Sequence, residues 1–262
     1  PYYAGRANLR GADLVVAPVA DDGHLDPGTV ADVASDDTAV IVVNTPNNPM
    51  GVTYGADAVA DLVGVAEDVD ALLVSDEVYD HFDYSGRFES ALAVESPNRV
   101  VTNSFSKSMA ITGWRVGYAV FPPEDAPGPA GELHDAARTR HMLTNVTGSR
   151  PAQAAVLHAL RNTGPDYYQD KRDRMADRMA AFTAALDDIG AAYTDPEGAF
   201  YVMARFAGFD GTVENVERLV DEAGVAGMPG EAFGEVRGDW IRFSLTTDRV
   251  DEAAARLQSF FA

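Results

Sequence analysis

Three short runs of apolar, largely β-branched residues punctuate the first half of the chain. They are Ala39-Val40-Ile41-Val42-Val43, Ala71-Leu72-Leu73-Val74-Ser75 and Arg99-Val100-Val101-Thr102-Asn103. The first is unbroken, so it predicts a strand buried on both faces, as in a parallel sheet. Residues 116–121 make a fourth run, stopped by Pro122-Pro123. Between the first two, residues 56–69 place Val59, Leu62, Val63 and Ala66 at helical spacing. Residues 28–35 predict a modest helix, and residues 14–18 are an apolar run ended by Pro18. Strands alternating with helices predict an α/β fold, a mostly parallel sheet with helices on both faces. Helices follow over 129–143, 150–163 and 166–189, the last ended by Gly190. The pattern then changes. Strands over 191–194 and 200–206 flank Asp195-Pro196-Glu197-Gly198. A helix over 212–223 has Thr212 as its N-cap, and a strand over 240–245 precedes a closing helix over 248–260. This reads as a large domain over 1–164 and a small C-terminal α+β domain over 165–262.

In such sheets ligands bind beyond the carboxyl ends of the strands. The polar clusters fall there. Asn44-Thr45-Pro46-Asn47-Asn48-Pro49-Met50-Gly51 follows the first strand, and its prolines, asparagines and glycine cannot continue it. Asp76 and Tyr79 follow the second, and Ser104, Ser106 and Lys107 the third. Arg115 is the exception, since it enters the fourth strand from its amino end; a strand antiparallel to the rest would bring it to the same edge. Lys107 is one of only two lysines in the chain. An amine among hydroxyls at a strand end suits a phosphate, or a Schiff base with a carbonyl; the bland alternative is a solvated loop. Arg242 lies inside an apolar strand, where an arginine is costly unless paired.

Composition narrows the classes. A net charge of −21 repels nucleic acid and anionic membrane. Only two of the 20 basic residues are lysine, which with the excess acid predicts a halophilic source. The absence of cysteine excludes disulfides and thiolate metal sites, and His24, His81, His134, His141 and His158 lack ligand spacing. With no apolar run of spanning length and no signal pattern, the chain reads as cytoplasmic. No Gly-x-Gly-x-x-Gly or Gly-Lys-Ser/Thr loop supports nucleotide binding.

Five motifs occur in order: the Asn44 to Gly51 stretch quoted above, Ser75-Asp76-Glu77-Val78-Tyr79, Ser104-Phe105-Ser106-Lys107, Gly113-Trp114-Arg115-Val116-Gly117 and Ile241-Arg242-Phe243-Ser244. Together they resemble the fold-type I pyridoxal-phosphate enzymes, specifically the class I/II aminotransferases related to aspartate aminotransferase. The resemblance implies pyridoxal 5'-phosphate as cofactor, an amino acid and a 2-oxo acid as substrates, and a homodimer. It implies that Lys107 forms the internal aldimine and, once freed, moves the proton at Cα. Asp76 would keep the ring nitrogen protonated, making the ring an electron sink. Asn48 and Tyr79 would donate to the phenolic oxygen. Arg115 and Ser104, with Ser106, would hold the phosphate, and Arg242 the substrate carboxylate. Tyr2 or Tyr3 would stack on the ring, and Gly198-Ala199-Phe200-Tyr201 would line the site. Two alternatives stay open, a lyase on the same scaffold and a truncated non-catalytic remnant. About the first third of a typical member has no counterpart here, so weak or no cofactor retention is expected of the 262-residue chain. No motif selects a residue for the substrate side chain among Arg138, Arg140 and Arg150.

Overall fold

A computed structural model describes residues 2–123 and 129–262. Along the chain come α1 (Tyr2–Arg10), α2 (Pro27–Val33), β1 (Val40–Asn44), α3 (Ala56–Asp68), β2 (Leu72–Asp76), β3 (Arg99–Ser104), α4 (Phe105–Ser108) and β4 (Gly117–Val120). They are followed by α5 (Pro129–Asn145), α6 (Arg150–Asn162), α7 (Pro165–Asp188), β5 (Ala192–Tyr193), β6 (Tyr201–Arg205), α8 (Val213–Arg218), β7 (Met228–Pro229), β8 (Ile241–Ser244) and α9 (Val250–Phe261).

The chain forms two compact units. One comprises Leu25–Asn47 and Thr53–Arg172. Its sheet has the order β1-β2-β3-β4. β1, β2 and β3 are parallel, and β4 pairs antiparallel with β3, the direction that brings Arg115 to the same edge. Val59, Leu62, Val63 and Ala66 are the buried residues of α3, the face its spacing predicted. Val59 joins Ala91 and Val101 in one apolar cluster. Burying each of the larger side chains contributes roughly 1.5–3 kcal/mol.

One expectation is corrected. β1 is not buried on both faces: Val43 is 5% exposed, but Val40 and Val42 are 48% and 41% exposed. β1 is an edge strand of the described sheet, and side chains two apart share a face, so Val40 and Val42 share one that is only half covered. An apolar run identifies such a strand without telling how many of its faces are packed.

The other unit comprises the described residues up to His24, Asn48–Val52 and Asp173–Ala262. Its antiparallel sheet has the order β5-β6-β8-β7. Phe182 and Leu186 of α7, Val202 of β6, Ile241 and Phe243 of β8 and Leu257 of α9 share its core. Thr212 caps α8 by accepting from Asn215 N at 3.2 Å, and Gly190 ends α7 with φ +69°. The division differs from a cut at 164/165 because local contacts decide it. Tyr168 of α7 meets His81 edge-on at 4.3 Å in the first unit. In the second, Arg237 donates to the carbonyls of Ala20 (2.6 Å) and Asp21 (3.3 Å), and Thr194 Oγ1 donates to Met50 O at 2.6 Å.

Among the described residues no helix is long and apolar enough to cross a membrane.

Candidate active site

The parallel register sets Asn44 opposite Asp76, and Asp76 opposite Thr102. Three strands therefore end together. The end of β2 is tied down on its β1 side: Asp76 O accepts from Asn44 Nδ2 at 2.8 Å and from Thr45 N at 3.1 Å. The half-buried Asp76 carboxylate accepts from Val78 N at 3.3 Å through Oδ1. Tyr79, three residues on, is 5% exposed.

β3 runs directly into α4. Ser104 is extended and caps that single turn, its Oγ accepting from Ser106 N at 3.3 Å. The turn carries half-buried Lys107 between buried Ser106 and Ser108, with Nζ 5.8 Å from the centre of the Tyr79 ring. The antiparallel register then sets Gly117 against Ser104. A Cβ on Gly117 would sit 2.8 Å from Asn103 O, so glycine is what lets β4 start that close. Arg115, two residues earlier, has left-handed backbone (φ +57°) and donates from Nη1 to Thr112 O at 2.7 Å. Its guanidinium uses one donor there and carries others. Asp76, Tyr79, Ser104, Ser106, Lys107 and Arg115 thus belong to one unit, and the strand registers bring them to one sheet edge.

Asn48 and Arg242 belong to the other unit, where they meet. Arg242 Nη1 donates to Asn48 Oδ1 at 2.9 Å. The Arg242 guanidinium lies 4.5 Å from the centre of the Tyr201 ring and 5.1 Å from that of Phe233. These contacts supply the pairing that an arginine within an apolar strand needs. Asn48 is held by its neighbours. Gly51 has φ +77°, a Cβ there would lie 2.2 Å from Tyr201 O, and its carbonyl accepts from Gly198 N at 2.7 Å. Tyr3 is an exposed residue of α1; the Tyr2 side chain lies outside the described residues.

Other polar groups complete the sheet edge without having been singled out in the sequence. Glu77 is 3% exposed. Its Oε1 accepts from Ser75 Oγ (3.0 Å) and Ala91 N (2.8 Å). Burial pushes its pKa up, opposed by hydrogen bonds from Ser90, Ala91 and Ser75. Asn103 Nδ2 donates to Asp80 Oδ2 at 2.8 Å. Burial, then the charges of Asp80 and Glu77, push the Tyr118 hydroxyl pKa up. A signal for Glu77 was present, since an acid one residue past a buried strand needs partners. The Asn103–Asp80 pair spans 23 residues and left no local trace.

A pyridoxal-phosphate enzyme of fold type I is the class this sheet edge defines, and the comparisons identify the family. Residues 1–257 match the model of aminotransferase class I and II; the chain belongs to this family. Members of the family use pyridoxal 5'-phosphate. The chain is 30% identical to an aspartate aminotransferase of Pyrococcus horikoshii, over 98% of this chain and 66% of that protein. It superposes on the Thermus thermophilus aspartate aminotransferase solved with maleate with a TM-score of 0.86, at 30% identity, covering 98% of this chain and 66% of that one. The N-succinyldiaminopimelate aminotransferase of Mycobacterium tuberculosis gives a TM-score of 0.86 at 27% identity, covering 99% and 68%. The chain thus spans about two thirds of the length of the relatives it matches.

Proposed function

We propose that this chain is the greater part of a pyridoxal-phosphate-dependent aminotransferase that exchanges an amino group between an L-amino acid and a 2-oxo acid. One observation carries the reading: the registers β1-β2-β3-β4 bring Asp76, Lys107 and Arg115 to a single sheet edge. The donor set there fits the cofactor. It offers a carboxylate for a ring nitrogen, a primary amine for an aldehyde, and a guanidinium with two hydroxyls for a phosphate.

When bound, the cofactor would supply an aldehyde carbon and an electron-accepting ring. Asp76 would keep the ring nitrogen protonated, and its strand-end carbonyl, fixed by Asn44 and Thr45, helps hold that carboxylate in place. The Lys107 amine would be the group that moves a proton at the substrate Cα, as a positioned base does. By the family resemblance, Tyr79 and Asn48 would donate to the phenolic oxygen, and Arg115, Ser104 and Ser106 would hold the phosphate. Arg242 binds the substrate carboxylate in the planar, two-pronged manner that guanidinium allows. Its hydrogen bond to Asn48 Oδ1 ties the two side chains together.

The named relatives act on differing amino acids, including aspartate and N-succinyldiaminopimelate, so the reading stops at an amino acid and a 2-oxo acid. It extends to a cytoplasmic homodimer with a biosynthetic role. A halophilic source is supported by the net charge of −21.

The test is spectroscopic and kinetic. Because the 262-residue chain is expected to retain the cofactor weakly, pyridoxal phosphate is supplied in saturating excess; a visible absorbance band is then expected, and Lys107→Ala should lack it. Amino acid and 2-oxo acid should then exchange the amino group, and Lys107→Ala should be slower by about 10²–10⁴-fold. A band that persists in Lys107→Ala, or release of the amino group without a new amino acid, would refute the reading; the latter result is the one a lyase gives.

A further inference from the structure

The C-terminal unit holds a cavity of about 290 Å³ that none of the residues assigned above lines. Its floor is apolar: Phe182, Val225, Phe243, Leu245 and Val250 line it, and each is at most 4% exposed. Its charged lining is one small group, Arg249, Glu252 and Arg256. Arg242 and Phe243 are consecutive on β8, so their side chains leave opposite faces of the strand. The cavity therefore lies across the sheet from the Arg242–Asn48 pair.

Glu252 bridges the two arginines. It accepts from Arg249 Nε (2.6 Å) and Nη2 (2.7 Å), and from Arg256 Nη2 (2.7 Å). Arg256 Nη1 also donates to Ala223 O at 3.3 Å. The hydrogen bond from Arg249 is the main reason the Glu252 pKa falls to about 2, so the carboxylate stays charged with its arginines. Two cations and one anion leave the lining a charge of +1, in a chain of net charge −21. Each guanidinium carries five N–H groups, more than these bonds use, and Ser244 and Thr247 also border the cavity. An apolar floor with a few convergent donors, at the lower end of the usual size range, is how small-molecule sites are built.

We propose that this cavity is an accessory binding site for a small carboxylate with an apolar body. The body rests on Phe182, Phe243 and Val250, and the carboxylate takes the remaining donors of Arg249 and Arg256. The site is independent of the aminotransferase reading, because no residue of that machinery lines it.

Phenylacetate serves as the probe, with 2-phenylethanol as the uncharged control, titrated calorimetrically into the protein. Saturable binding of phenylacetate, much weaker binding of the alcohol, and retention of binding in Arg242→Gln are expected. Arg256→Gln should weaken binding about tenfold, the loss of one charge-assisted hydrogen bond. Arg256 also ties Ala223, so a thermal melt checks that this variant is folded. Ala253→Trp, which fills the cavity from α9, is expected to abolish binding, with a thermal melt to check that it is folded. Failure of phenylacetate to bind overturns the proposal. So does binding that is lost in Arg242→Gln or unchanged in both Arg256→Gln and Ala253→Trp.

Discussion

Asp76 and Glu77 are neighbouring carboxylates that meet opposite surroundings, because consecutive side chains at a strand end point to opposite faces. Asp76 is half-buried at the sheet edge, whereas Glu77 is turned inward onto Ser75 and Ala91. Glu77 has a pKa raised above its ordinary 4.5 by burial. Between 4.5 and its folded value the native state therefore binds more protons than the unfolded one, and stability falls as pH rises through that window. Glu77→Gln removes this titration. Melting temperatures across the acid range, at fixed salt, are expected to show a smaller decline just above pH 4.5 in the variant than in the wild type. At Arg242, replacement by lysine keeps the charge but loses the planar fork. Arg242→Lys is expected to raise KM for the amino acid by about 10–100-fold with a smaller change in kcat, as steady-state kinetics would show. The residues with chemistry were legible because rare types stood in short motifs. Their partners were less so. The rings of Tyr201 and Phe233 beside Arg242 come from β6 and from a turn after β7.

At the scale of elements, periodicity located strands and helices to within one to three residues. The α3 face was legible in full, since four apolar residues at helical spacing leave one way to pack them. Leu62→Ala, at a position 1% exposed, is expected to cost about 2–5 kcal/mol in denaturant unfolding. Three features escaped. β7 is two residues long, too short for a period. α8 passes into a wider turn over Leu219–Ala223, which depends on backbone bonding and not on side-chain spacing. α1 is only nine residues long and has Gly5 inside it, which weakens a helical reading. Gly51 shows the limit from the other side. The sequence marked a turn there, but the need for glycine comes from Tyr201 O, 150 residues away along the chain. Gly51→Ala would force a Cβ 2.2 Å from that oxygen at φ +77°. A loss of about 2 kcal/mol or more in unfolding free energy is expected, beyond the strain of the backbone alone.

The whole molecule carries its net charge of −21 on 262 residues. Self-repulsion at that density opposes compaction, and salt screens it over about 10 Å at ~0.1 M and about 3 Å at ~1 M. The melting temperature is therefore expected to rise between those concentrations of potassium chloride, more than for a near-neutral protein of the same size. A flat response would show that paired charges, such as Arg249 and Arg256 with Glu252, already neutralise the surface locally.

The sequence alone determined that β1, β2 and β3 are strands followed by polar turns, that Lys107 stands out, and that five motifs of one family occur in order. These are local or compositional properties, carried by residue type and period. Tertiary structure decided the rest. The antiparallel pairing of β4 with β3 puts Arg115 at the edge that holds Asp76 and Lys107, and backbone register, which no residue encodes by itself, sets it. The hydrogen bond from Arg242 to Asn48 joins positions 194 apart. The cavity beneath Arg249 and Arg256 exists because α7, β8 and α9 leave apolar surface that they do not fill, and how completely three elements fill the space they enclose is a property of their packing alone.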